Sequence, residues 1–190
     1  SKLTHLPAAA KYLRKHKPEK IVIIGDWWDM PSLSSYDKPG DKGWETKDVQ
    51  ADLNAGWGAM TSFLKGLRSP KYDPEIHYCM GNHEQRIVRA SHSAGMRMLN
   101  NYLSVEELIL NPLQELEVAT HDFLEIVELD GICYSHYFVN PSSLMSNAIG
   151  GAIESKLKNL GHSFTMGHQQ QKQTGEIYTC TGQRRRGLVC

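Results

Sequence analysis

Along the chain, the spacing of apolar and polar residues switches repeatedly between a helical and a strand-like period. Residues 7–16 read as a helix: Pro7 opens it, three alanines follow, basic residues gather near its end, and Pro18 stops it. Residues 21–24 are an unbroken aliphatic run halted by Gly25, the pattern of a buried strand. Residues 31–47, rich in Pro, Gly, Ser and Asp, predict a surface loop. In residues 48–67 the apolar positions 53, 57, 60, 64 and 67 recur at spacings of 4, 3, 4 and 3, which lines one helix face. Residues 75–80 predict a strand and 84–100 a helix, and Ser104-Val105-Glu106-Glu107 fits a capping box opening a short helix.

The second half is richer in strands. Residues 123–129 and 132–138 are strand-like runs separated by Asp130-Gly131, a strong hairpin signal. Ile149, Ile153, Leu157 and Leu160 form a helix face that ends at Gly161. Residues 163–166 read as a short strand, and 177–180 is expected to pair with 187–190 across 181–186. The predicted class is a mixed α/β or α+β domain with helices packed on sheets.

Composition narrows the partners. At 190 residues the chain fits one domain, and residues 1–190 are read as a single domain cut at both ends. Lys plus Arg and Asp plus Glu each number 21, so a uniformly basic nucleic-acid surface is excluded while a local patch is not. With 40% hydrophobic and 22% charged residues the chain has the composition of a folded domain, not a disordered one. No apolar run approaches the ~20 residues of a membrane span. The four cysteines are widely spaced without a CxxC, which disfavours disulfides and a thiolate zinc site and points to a reducing, cytoplasmic compartment.

Four strand-like segments end in ligand-capable residues: Gly25-Asp26-Trp27-Trp28-Asp29, Gly81-Asn82-His83-Glu84, His136 within Tyr134-Ser135-His136-Tyr137, and Gly167-His168-Gln169-Gln170. Ligand sites gather at the carboxyl ends of strands, and the glycines let the backbone turn sharply there. Oxygen and imidazole donors without thiolate suit Mn, Fe, Zn or Ni. A carboxylate such as Asp26 can bridge two cations about 3.5–4 Å apart, the spacing of two-metal phosphoryl chemistry.

In this order, from about residue 19 to 170, these motifs resemble the calcineurin-like metallophosphoesterase superfamily, with bacterial and phage members the most similar in style. The resemblance implies a two-sheet β-sandwich flanked by helices in four layers. It also implies two divalent metal ions and a phosphoester substrate, with nucleotides and nucleic acids among those the family cleaves. It makes Asp26 the bridging ligand, and Asn82, His136 and His168 the other ligands of one metal. His83 would contact the phosphate and assist the leaving group, oriented by Asp29, while a metal-bridging hydroxide attacks phosphorus. The sequence departs from the family twice. The initial Asp-x-His is missing, Leu3-Thr4-His5 being the nearest string, and is expected upstream. Gln170 stands where a second His is usual, so its metal would be held by a weaker ligand. A nuclease of the same family and a catalytically degenerate scaffold are the rival readings.

Other polar residues receive ordinary readings. Glu84 suits the first turn of a helix, and Arg86 either reaches phosphate or is solvated. Trp27 and Trp28 either wall a pocket or pack, with at least one in the core. His77 is read as packing, and His92, His121 and His162 as surface or hydrogen-bonded residues. Arg184-Arg185-Arg186 reads as a solvated hairpin tip, and the cysteines as small hydrophobes.

Overall fold

A computed structural model describes residues 5–35, 47–93, 102–141 and 147–190. It is a mixed α+β structure with two sheets. Helix α1, His5–His16, leads into strand β1, Lys20–Ile23. A 3-10 turn, Pro31–Leu33, precedes helix α2, Val49–Leu67. Strand β2 is Glu75–Cys79, helix α3 is Gln85–Ser91, and strand β3 is Val118–His121. These strands form a parallel sheet in the order β1-β2-β3. Strands β4, Val127–Leu129, and β5, Ile132–Tyr134, begin the second sheet. Strands β6, Ser163–Met166, β7, Gln173–Tyr178, and β8, Arg184–Val189, complete it in the order β4-β5-β6-β8-β7.

Local chemistry explains several boundaries. Asp48 caps α2, its carboxylate accepting the Ala51 N–H at 2.9 Å. Asp130 and Gly131 both have positive φ, 52° and 79°, the geometry of the tight hairpin turn joining β4 to β5. Ser104 accepts the Glu107 N–H as the capping box requires, and its own hydroxyl donates to Glu106. The helix that follows is wound loosely over Glu106–Leu110 and regularly over Asn111–Glu115, α4. Pro112 lacks the N–H that would reach the carbonyl four residues back. That carbonyl, of Leu108, accepts the Trp57 indole N–H at 3.1 Å instead.

Several expected boundaries shift. The helix expected over 84–100 spans Gln85–Ser91, and residues 94–101 lie outside the described residues, as do 36–46 of the expected loop. The runs 123–129 and 132–138 keep only three paired residues each. The helix expected from Ile149 begins at Ile153 and stops at Gly161, φ 75°. The C-terminal hairpin is tighter than expected. Tyr178 pairs with Arg184, so the three arginines lie in β8 and not at a tip. Glu176 on β7 pairs with Arg184, at 2.8 Å from its Nε, and lies 3.8 Å from Arg186.

Two apolar clusters hold the layers. The larger joins α1, α2, α3, α4 and the first sheet around Met60, Leu67, Ile76 and Ile109. The smaller joins α5, Ile153–Leu160, to the second sheet around Leu157, Phe164 and Val189. Each fully buried aliphatic side chain of this kind stabilises by about 1.5–3 kcal/mol. Gly175 and Gly187, paired across β7 and β8, make room for Ile153. No helix among the described residues is long and apolar enough to cross a membrane.

Candidate metal centre

The loops leaving β1 and β2 in one sheet and β5 and β6 in the other converge on one point. The first two loops are locked together by their glycines. A Cβ on Gly25 would fall 2.5 Å from the Gly81 Cα, and one on Gly81 would fall 2.3 Å from the Asp26 nitrogen. Gly25 also has φ 76°, a conformation only glycine adopts without cost. Asp26 follows with φ 54°, and His168 and Gln170 have φ 68° and 48°. Left-handed backbone at three site positions costs of order 1–3 kcal/mol each, and such strain clusters at functional sites.

Glu84 clasps these loops. It is fully buried. One carboxylate oxygen accepts the N–H groups of Asp26 at 3.1 Å and Gly81 at 2.9 Å, and the other accepts that of Trp28 at 2.8 Å. Burial pushes its carboxyl up from the ordinary value, and the backbone donors, Trp28 foremost, pull it back. Its role is structural, as the sequence suggests, but the reason is this triple acceptance and not the helix macrodipole.

Four donor atoms meet beneath this clasp. Asn82 Oδ1 lies 2.8 Å from His136 Nε2 and 2.8 Å from His168 Nδ1. Asp26 Oδ1 lies 3.5 Å from His136 Nε2 and accepts the His83 backbone N–H at 3.1 Å. The ligand atoms of Asp26, His136 and His168 all lie within 4.8 Å of one another and can hold a metal ion. Donors about 2.0–2.2 Å from a common ion lie roughly 3–3.5 Å apart, close to these separations.

The hydrogen inventory sharpens this. His136 Nδ1 donates to the Ile24 carbonyl at 2.7 Å, which uses the one N–H of a neutral ring. Burial lowers the His136 pKa, the main cause of its shift, and so favours that neutral ring. Its Nε2 lone pair then faces the Asn82 carbonyl oxygen and the Asp26 carboxylate, all acceptors. Such a convergence of lone pairs on the buried His136 ring, beside the half-buried Asp26 and Asn82 and the exposed His168, fits a cation.

Beside the cluster, His83 Nδ1 sits 2.6 Å from Asp29 Oδ1, so the expected partnership of these residues is present in the geometry. Donation from Nδ1–H fixes the ring and leaves Nε2 available. Arg86 is not simply solvated. It donates to the Asp29 carbonyl at 2.7 Å and lies 3.9 Å from its carboxylate. One turn on, the exposed Arg89 approaches the Asn82 carbonyl at 3.5 Å, and Tyr137 packs against His168 at 4.7 Å between ring centroids. Both border the cluster and escape a motif-based reading, although the spacing of Arg89 from Arg86 by one helical turn is a usable signal.

Gln170 is exposed and makes no hydrogen bond to Asp26, Asn82, His136 or His168 among the described contacts. Both tryptophans pack. Trp28 is buried edge-on against Trp57 and Tyr78, and Trp27 donates to the Gly56 carbonyl while lying against Phe63. Compared with known proteins, the chain matches no family model, no curated protein and no solved structure.

Proposed function

We propose that the chain is a metal-dependent phosphoesterase of the calcineurin-like type, its helices and two sheets stacked in four layers. The observation that carries the reading is the meeting of Asp26, Asn82, His136 and His168 at one point beside a His83–Asp29 pair. A divalent cation held there would polarise a phosphoryl oxygen and make a bound water more acidic. The chain's own groups do the rest. Asp29 holds the His83 ring through Nδ1–H so that Nε2 faces the substrate; as the imidazolium, the ring donates its Nε2–H to a phosphate oxygen and hands that proton to the departing alkoxide, returning to the neutral ring. Arg86 holds the Asp29 backbone, and the Asp26 carboxylate keeps its orientation through the His83 N–H. A second ion, with Gln170 as a weak ligand, belongs to the same reading. The exposure of Gln170, with no hydrogen bond to Asp26, Asn82, His136 or His168 among the described contacts, favours the alternative, a binding scaffold that keeps one ion and no turnover.

The test is hydrolysis of bis(p-nitrophenyl) phosphate and p-nitrophenyl phosphate with Mn, Zn or Ni. Metal-dependent turnover is expected, and His83→Ala should lower kcat by about 100-fold or more. Turnover unchanged in His83→Ala and Asn82→Ala would refute the mechanism. Metal binding without turnover would select the scaffold.

A further inference from the structure

A basic surface without an assigned role lies at the other end of the first sheet. Helix α1 crosses α2 closely, a Cβ on Gly66 falling 3.2 Å from that of Ala10. Beside this crossing lies a cleft of about 580 Å³ lined by Lys11, Arg14 and Lys65 with Ser62. Arg14 also lines a second cleft of about 340 Å³, with Lys17, Lys71 and Tyr72. The two clefts therefore adjoin and present five cations along one track. No carboxylate lines either cleft. Among the described residues, the side chains of Lys11, Lys17, Lys65 and Lys71 have no hydrogen-bond or ion-pair partner, and Arg14 reaches only the Gly66 carbonyl at 3.5 Å.

The helix macrodipoles account for only part of this. Arg14 and Lys65 lie in last turns, where a cation is favourable. Lys11 is mid-helix, and Lys17 and Lys71 lie outside the helices altogether. Lys17 moreover occupies the left-handed position that ends α1, φ 48°, where glycine or asparagine is the easier residue. On a chain of zero formal net charge, such a concentration of unpaired cations is a directed field and not a general one. The arginines of β8 make the contrast, since Glu176 faces Arg184 and Arg186.

We infer that this track binds the sugar-phosphate backbone of a nucleic acid. Cations strung along a groove match successive phosphates, whereas a small anion would need them to converge. A membrane surface would instead call for an amphipathic helix presenting an apolar face. The exposed side of α1 carries Lys11, Arg14 and Lys15, and its apolar residues Leu6 and Ala10 are buried. Because Lys17 and Lys71 precede the starts of β1 and β2, the track and the metal cluster lie at opposite ends of those strands. Nucleic acid held on the track is thus bound away from the cluster.

The experiment is fluorescence anisotropy of the full chain with a labelled oligothymidine of about 20 nucleotides across a salt series, in EDTA so that no metal-dependent cleavage intervenes. A blunt duplex and vesicles of phosphatidylcholine with phosphatidylserine are run alongside. Salt-sensitive binding of the oligonucleotides, single strand or duplex, is expected. Lys11→Ala, Arg14→Ala and Lys65→Ala together should reduce the log–log salt slope by about 2 and weaken binding at least about ten-fold. Lys17→Asn should weaken binding while keeping or raising Tm, which separates lost charge from lost fold. Arg184→Gln with Arg186→Gln should leave binding unchanged. No binding of either oligonucleotide at low salt, equal binding by the triple variant, or a preference for the vesicles would each overturn the inference.

Discussion

Two groups of histidines and carboxylates involve the first sheet, one gathered where its strands end and one running along them, alike in composition and opposite in logic. Around Asp26 and Asn82 the donors converge on a point. Along β2 and β3, Glu75, His77, His121 and Glu125 form a line instead. Glu75 Oε1 lies 2.8 Å from His77 Nε2, His77 Nδ1 lies 3.0 Å from His121 Nε2, and Glu125 stands 3.4 Å from His121 Nδ1. Two neutral rings carry two N–H groups, and the two short links use both: His77 Nε2–H donates to Glu75, and His121 Nε2–H donates to His77 Nδ1. Glu125 turns its other oxygen to the Asp122 N–H at 2.8 Å. The two short links of the line are satisfied by the rings' own hydrogens, and the rings stack at 5.3 Å. The converging cluster is not, because the one hydrogen on a neutral His136 already serves Ile24. Whether residues of these types hold a metal depends on where their lone pairs meet, not on how many histidines are near.

That contrast can be broken most directly with metal. Mn or Zn titrated into the chain and followed by calorimetry should bind, with Asn82→Ala or His136→Ala weakening binding at least about 100-fold. His77→Phe and His121→Phe should leave the affinity unchanged. Metal binding lost on substitution in the line, and kept on substitution in the cluster, would reverse the assignment.

A smaller effect is expected at the clasp. Glu84→Ala removes the acceptor of three backbone N–H groups, each worth about 1 kcal/mol, offset in part by relief of carboxylate burial. The expected loss is about 2 kcal/mol, read as a lower denaturation midpoint at unchanged m-value. The sign of the pH dependence follows from the raised pKa. The folded chain holds the Glu84 proton more tightly than the unfolded chain, so this group favours the fold at low pH. That contribution is lost as pH rises from the unfolded value, ~4.3, through the folded one. The stability gap between wild type and variant should therefore widen as pH falls across that window. A constant gap would mean that Glu84 does not titrate there.

The smallest effect belongs to the line. His77→Phe should cost about 1 kcal/mol through the lost hydrogen bonds, with hydrolysis and metal affinity untouched. A double-mutant cycle with His121→Phe should show coupling of about 0.5 kcal/mol or more, as for residues in one hydrogen-bonded network.

What the sequence made legible is what local chemistry decides. Asp130-Gly131 dictates its turn by backbone conformation alone, and Asp48 with the spacing of apolar residues marks α2. The metal-cluster residues were legible because each follows a strand and, in three of the four cases, a glycine. What stayed hidden depends on contacts between distant segments. Val118–His121 has no strong strand pattern of its own and is a strand because it pairs with β2. The three N–H groups that Glu84 binds come from Gly81 and from residues 26 and 28, far away in sequence. The place of Arg184–Arg186 was set by the register Tyr178 to Arg184, which composition does not reveal. The path after His168, which leaves Gln170 exposed, is a matter of two left-handed residues that no motif announces.

The contact between Gly25 and Gly81 has a consequence for how this gene can drift. Any missense change in a glycine codon introduces a side chain with a Cβ. At several of the described glycines there is space for it: at Gly58 or Gly150 nothing lies within 4 Å of the new atom. At Gly25 and Gly81 the new atom would lie 2.6 Å or less from backbone that belongs to the other loop or to Asp26. Neither position can be relieved by rotating a side chain, and a change at one cannot be rescued by a change at the other, since both are already as small as a residue can be. In a saturation library selected for folding, these two columns should empty first.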